Sequence, residues 1–132
     1  MECVIDTNVL VYDMMEDSEL HAKAKEALDR TDIHMIPVTV VEEFVHVLGD
    51  LKVDRSIIGR KLREILHSET IISMDEIKVK EAIEILEKEK ISYKRFNDKL
   101  ILAAAKMLGA PLLTFDAELV KECKANGVKT VE

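Results

Sequence analysis

A chain of 132 residues, 48% of them apolar, has the size and core-forming composition of one compact domain, expected over 1–132, that needs no staples. A formal charge of −7 argues against a nucleic-acid binder working through a general basic surface, whereas a site rich in metal-binding carboxylates would contribute to such an excess. Cys3 and Cys123 have no zinc, redox or disulfide pattern, no apolar run approaches the roughly 18 residues of a membrane span, and the chain opens like a strand rather than a basic, then apolar leader, so we expect a soluble cytoplasmic protein without a membrane partner.

Cys3-Val4-Ile5 is a short apolar run closed by Asp6-Thr7-Asn8, after which Val9, Leu10 and Tyr12 continue at helical spacing. A first strand therefore ends at Asp6 and a helix follows at once, with Asn8 available as its N-cap. Asp17 and Ser18 start a second helix over 19–30 with Leu20, Ala24, Ala27 and Leu28 as its stripe, and 33–38 reads as strand. Thr39 opens a helix apolar at Val40, Val41, Phe44, Val45 and Leu48. Its Thr39-x-x-Glu42 spacing predicts a capping box, which gives Glu42 a structural task and leaves Glu43 without one. A fourth helix, capped by Asp54 or Ser56, runs to about residue 67 with Ile57, Ile58, Leu62, Ile65 and Leu66 inward. A strand over 70–73 follows, then a long helix from Asp75 or Glu76 to about residue 90, apolar at Ile77, Val79, Ala82, Ile83 and Leu86 and with a solvated Glu/Lys outer face. Residues 91–96 read as a loop.

The stretch 97–116 is the centre of the chain. From Leu100 to Ala105 no polar residue appears, so this helix lacks a wide solvated face and should pack deep in the domain. Gly109 suits the position just past its end and Pro111 cannot continue it. The run 112–115 is short enough for a strand buried on both faces. Asp98 and Asp116 thus flank the most buried part of the chain, where carboxylates must be paired, hydrogen-bonded or bound to metal. A last helix to about residue 125, an Asn126-Gly127 turn and an edge strand over 128–131 complete the chain. Lys52, Arg55, Arg60, Lys61 and Arg63 form one basic cluster and Lys90, Lys94, Arg95 and Lys99 another, each readable as a solvated face or as a groove lining.

Strands alternating with helices predict a three-layer α/β/α sandwich with a mainly parallel sheet of about five strands. Sites in such sheets lie at strand C-termini where strand order reverses. Asp6 and Asp116 both hold that position, and if their strands are neighbours, Asp98 and Glu43 can reach the same crevice from helix starts. Each acid alone also has a plain structural reading as cap, turn or surface charge. Gathered together they repel, so they persist as anions only beside a cation. Oxygen-only ligands select Mg2+ or Mn2+, and the chemistry this suits is hydrolysis of a nucleic-acid phosphodiester.

At this point the residues resemble a known family, the PIN domain, and within it the short VapC-like toxins and their archaeal relatives. The resemblance rests on Asp6-Thr7-Asn8 after the first strand, on Pro37-Val-Thr-Val-Val-Glu42-Glu43-Phe44 with Glu43 in the acidic position, on Asn97-Asp98 followed by Leu-Ile-Leu-Ala-Ala-Ala, and on Leu113-Thr114-Phe115-Asp116. It implies a metal-dependent ribonuclease acting on RNA, with Asp6, Glu43, Asp98 and Asp116 as catalytic, metal-binding acids and Thr7, Asn8 and Thr114 as supporting polar groups. It further implies a homodimer and, in the toxin branch, a small antitoxin as partner. Leu119 departs from the aromatic residue many relatives carry after the last motif.

Three other readings compete. Glu43-x-x-His46 and Glu64-x-x-His67 have the spacing of di-iron helical bundles, which need long helices and no buried strands. A receiver-type signalling domain also gathers acids at strand ends, but it needs a lysine at a late strand end, where only Lys129 is available. A non-catalytic PIN-like RNA-binding or assembly module would have no reason to keep mutually repelling carboxylates.

Overall fold

Short apolar runs and amphipathic stretches alternate in the computed structural model much as their periodicity implies. It describes residues 1–131; Glu132, the last residue of the expected domain, lies outside them. In order, the elements are β1 (Glu2–Ile5), α1 (Thr7–Met14), α2 (His21–Asp29), β2 (Ile33–Pro37), α3 (Val38–Asp50), α4 (Arg55–Ser68) and β3 (Thr70–Ile72), then α5 (Glu76–Glu89), a 3-10 turn (Tyr93–Arg95), α6 (Phe96–Leu108), β4 (Leu112–Leu113), α7 (Ala117–Ala125) and β5 (Thr130–Val131). The strands form one sheet in the order β3-β2-β1-β4-β5, with every pair parallel, in a three-layer α/β/α arrangement. The di-iron bundle reading is excluded by this sheet.

Val4 stands opposite Met35 on one side and Leu112 on the other, which makes β1 the central strand. Cys3, Val4 and Ile5 are accordingly buried completely, as an apolar run without alternation requires. From β1 the chain builds outward to β2 and β3, then crosses back to lay β4 and β5 on the other side. Strand order therefore reverses between β1 and β4, and the open space at such a reversal lies beyond the strand C-termini. Asp6 and the 114–116 segment are placed there by the sheet itself.

α6 is the buried helix. Every residue from Lys99 to Ala105 is buried, and α6 packs against α5, α3 and β1. Gly109 ends it at φ 64°, in the left-handed region that favours glycine, while the Ala110 N–H returns to the Ala105 carbonyl. Both cysteines are buried, which pushes the Cys3 thiol up to about 11 and the Cys123 thiol up to about 12, so neither is a nucleophile near neutrality.

Several local expectations are corrected. α1 begins at Thr7 and its N-cap is Asp6, not Asn8. The capping box at Thr39 does not form. β2 pairs as far as Pro37, opposite Ile72, and α3 starts without a loop, so Pro37 takes the cap position and no side chain caps the helix. Thr39 is left inside the first turn with its hydroxyl buried and unpartnered, and Glu42 points outward. In α4, Ile58, Leu62 and Ile65 form the inward stripe, whereas Ile57 and Leu66, on its flanks, are exposed, Leu66 to 74%. Ile77 of α5 is also exposed, and Ile85 takes the buried place. The ladder of β4 stops at Leu113, so residues 114–115 leave the sheet.

Candidate active site

Asp6 follows the last residue of β1 and is only 4% exposed. Its Oδ1 accepts the Thr7 N–H at 2.8 Å, and its Oδ2 accepts the Thr114 hydroxyl at 2.6 Å. Thr114 Oγ1 in turn accepts the Asp116 N–H at 3.1 Å and lies 3.5 Å from Asn8 Nδ2, while Asn8 Oδ1 accepts the Phe115 N–H at 3.3 Å. These bonds lace the start of α1 to the segment after β4. Asn8 is thus a cross-strand tie, which explains why the first helix takes its cap from Asp6 instead.

The other acids are held from different elements. Glu43, on α3, accepts from Asn97 Nδ2 at 3.2 Å through Oε2. Asp98, in the first turn of α6, pairs through Oδ2 with Arg95 Nη1 at 2.8 Å. Asp116 caps α7, its Oδ1 accepting from the Glu118 and Leu119 N–H groups at 2.9 and 3.4 Å. A crevice of about 390 Å3 is lined by Asp6, Thr7, Asn8, Val11, Tyr12, Glu43, Val47, Asp98 and Asp116. All four predicted acids reach it, with Thr7 and Asn8. Thr114 does not line it but stands behind Asp6, and Glu42 takes no part.

This crevice is electrostatically uncomfortable without a cation. Burial pushes Asp6 up to about 6, against the pull of its bonds from Thr114 and Thr7, and the Asp98 and Glu43 charges add to the rise. Burial also raises Asp98; Arg95 opposes this, while Asp116 and Glu43 reinforce it. Thr7 Oγ1 is buried on the crevice wall with no hydrogen-bond partner among the described residues. The donors are all oxygens, a set suited to a hard divalent ion rather than to zinc. Among the described residues no three His, Cys, Asp or Glu side chains stand as a closed ligand cluster. What fits a metal is the chemistry of the donor set together with the orphaned Thr7 hydroxyl.

The raised Asp6 has a measurable consequence. Below its unfolded value of 3.8 the carboxyl is protonated in both states, and as pH rises towards about 6 the unfolded state releases its proton while the native state still holds it. The stability of metal-free wild type relative to Asp6→Asn should therefore fall between pH 4 and 7, by at most about 3 kcal/mol. Urea titrations of both proteins in EDTA check this, and a gap independent of pH would contradict it.

Sequence reasoning placed Arg95 and Lys99 in a basic cluster but missed their carboxylate partners, and it missed one amide, Asn126. Arg95 sits behind the acids, reaching Asp98, Asp116 and Glu118 at 2.8, 3.8 and 3.8 Å and also pairing with Glu122. Lys99, one helical turn on, is 0% exposed and pairs with Glu89 at 2.6 Å and with Glu122. Asn126 closes the group on Glu89 at 2.8 Å. The basic cluster around Arg95 is therefore neither a solvated face nor an open groove where these two residues stand. A signal existed: a helix apolar on all sides is buried on all sides, which obliges Lys99 to find carboxylates inside.

Fold and site together define a doubly wound parallel α/β domain with an acidic crevice at its strand-order reversal. The chain belongs to the PIN domain family, whose sequence model matches residues 3–124. Among solved structures it is similar to VapC20 of Mycobacterium tuberculosis, a sarcin-ricin loop cleaving toxin, with a TM-score of 0.81 at 17% identity over 98% of each chain. It is also similar to VapBC2 from Rickettsia felis, bound to a DNA fragment from its promoter, with a TM-score of 0.71 at 22% identity over 99% of this chain and 98% of that one. A toxin-antitoxin complex from Klebsiella pneumoniae matches with a TM-score of 0.70 at 19% identity over 89% of each chain. No functionally curated protein matches by sequence.

Proposed function

We propose that this protein is an Mg2+- or Mn2+-dependent endoribonuclease, the toxin of a VapBC-type pair, with Asp6, Glu43, Asp98 and Asp116 as its metal-binding acids. The observation that carries the reading is the convergence of these carboxylates, from separate elements, on one crevice at the β1/β4 reversal. The likeness to VapC20 and VapBC2 in fold supports the toxin branch. When bound, the metal supplies Lewis-acid activation of water and charge stabilisation at phosphorus. The chain's own contribution is orientation. Thr114 and the Thr7 N–H hold Asp6, Asn97 holds Glu43, the α7 N-terminus holds Asp116, and Thr7 Oγ1 offers a further oxygen.

Cleavage of an end-labelled RNA in Mn2+, Mg2+ or EDTA tests the activity; metal-dependent cutting is expected, and cutting undiminished in EDTA would refute the metal assignment. Glu43→Ala should abolish cutting, whereas Glu42→Ala, at an exposed position without a cap bond, should leave activity intact and stability within about 0.5 kcal/mol. The reverse result would show that the wrong glutamate has been chosen. For the toxin assignment, expression alone should arrest growth and a small adjoining antitoxin gene should relieve it. Homodimerisation is expected to give a solution mass twice that of one chain.

One observation favours a second reading, a non-catalytic RNA-binding or assembly module. Arg95 already places a cation on Asp98 and near Asp116, which makes that half of the cluster tolerable without metal. Mn2+ titration by calorimetry separates the two, since a pure binder would take up no metal at the crevice.

A further inference from the structure

We propose that the depression beside the acidic crevice is a nucleotide subsite, in which Phe115 stacks one base of the RNA and Lys23 takes its phosphate. This rests on the ribonuclease reading and says where the strand lies. The depression, of about 200 Å3, is lined by Leu20, Lys23, Thr114, Phe115 and Val120. Its dividing wall from the crevice is an aromatic pair: Tyr12 lines the crevice, Phe115 lines the depression, and their rings are 6.1 Å apart at 36°. Phe115 lies in the chain between Thr114, whose hydroxyl holds Asp6, and Asp116, one of the site acids. A base on Phe115 therefore lies across the Tyr12 ring from a phosphate bound over the carboxylates.

Lys23 supplies the second half of the argument. It is exposed on α2, and its ammonium lies 5.4 Å from the centre of the Phe115 ring. Among the described residues it has no carboxylate partner, in a protein whose net charge is −7. An aromatic face with a cation over it is the pairing that single-stranded nucleic-acid sites use, because every base has a π-face and every nucleotide brings a phosphate. The arriving base displaces the ammonium from the ring, and the four-carbon stem lets that ammonium follow the phosphate. Arg95, the other cation near the site, is already committed to Asp98 and Glu122, so it does not compete for this role.

The test is fluorescence anisotropy with a labelled single-stranded RNA, using Ca2+ in place of Mn2+, on wild type, Lys23→Ala and Phe115→Leu, with the KM for cleavage in Mn2+ as a second readout. Each variant should raise Kd and KM about tenfold. Lys23→Ala should also reduce the slope of log Kd against log salt by about 0.7, while Phe115→Leu leaves that slope unchanged. An RNA with an abasic nucleotide beside the cut should lose affinity for wild type but not for Phe115→Leu; if that variant does not fold, the Lys23→Ala slope and the abasic RNA on wild type still decide. A wild type that cuts RNA, with variants of equal Kd and KM, would overturn the subsite and leave the nuclease standing. A wild type that neither binds nor cuts RNA would overturn both.

Discussion

Asp98→Asn should abolish metal-dependent RNA cleavage, with a loss beyond the ten- to hundredfold that removing an outer partner of a metal site costs. Asp98 is the acid whose two oxygens are divided most clearly: Oδ2 is on Arg95, and among the described residues Oδ1 has no protein donor. The asparagine keeps the shape but cannot be an anion, so it takes away the carboxylate proposed to bind metal while also relieving the repulsion that raises Asp98 beside Asp116 and Glu43. The fold should survive, with a melting temperature within a few degrees of wild type in EDTA. The increase in melting temperature that Mn2+ gives wild type should disappear. Full activity in Asp98→Asn would remove this residue from the site, and retained Mn2+ stabilisation with lost activity would move its role from metal binding to substrate handling.

Lys99→Met should cost about 3–5 kcal/mol of stability, the penalty of breaking a buried ion pair from one side. Lys99 has no exposure, and its ammonium is shared between Glu89 and Glu122. Methionine fills most of the volume, so the loss comes from the carboxylates left behind, chiefly Glu122, only 11% exposed, whose Oε1 keeps Arg95 but whose buried Oε2 is left without a cation. Adding Glu122→Gln to Lys99→Met should therefore recover stability, although the same change made alone in wild type should reduce it. Chemical denaturation of the set forms a double-mutant cycle. A Lys99→Met protein as stable as wild type would mean that the network is dispensable. A further loss in the double variant would mean that Glu122 is held mainly by Arg95.

The two predictions concern opposite sides of one arrangement. Arg95 faces Asp98, Asp116 and Glu118 through Nη1 and Glu122 through Nη2, so α6 and α7 are tied together directly behind the crevice. Disturbance of the Lys99 network should consequently reach the site through Asp98. Near the crevice, the stability of the domain and the placement of its acids rest on the same charges.

The sequence by itself determined the order and type of the elements, because short apolar runs closed by Asp, Gly or Pro and long runs of helical period leave little choice. It also determined which acids stand at element ends: Asp6 after 3–5, Asp98 in the first turn of the apolar helix and Asp116 after the final buried run; Glu43, expected at a helix start, lies instead in the second turn of α3, because that helix begins at Val38. Caps were less legible, since whether Thr39 or Pro37 starts α3 depends on how far β2 pairs with β3, and no local pattern records that. Which flanking apolar residues turn inward was likewise set by the neighbours of α4 and α5, so Leu66 and Ile77 stayed exposed. Only the tertiary structure decided that β1 and β4 are adjacent, and thus that Asp6 and Asp116 share a crevice. It alone turned Arg95 and Lys99 from surface cations into counter-ions, because a charge's partner is fixed by packing across helices far apart in sequence, whereas periodicity speaks only of the face a residue occupies.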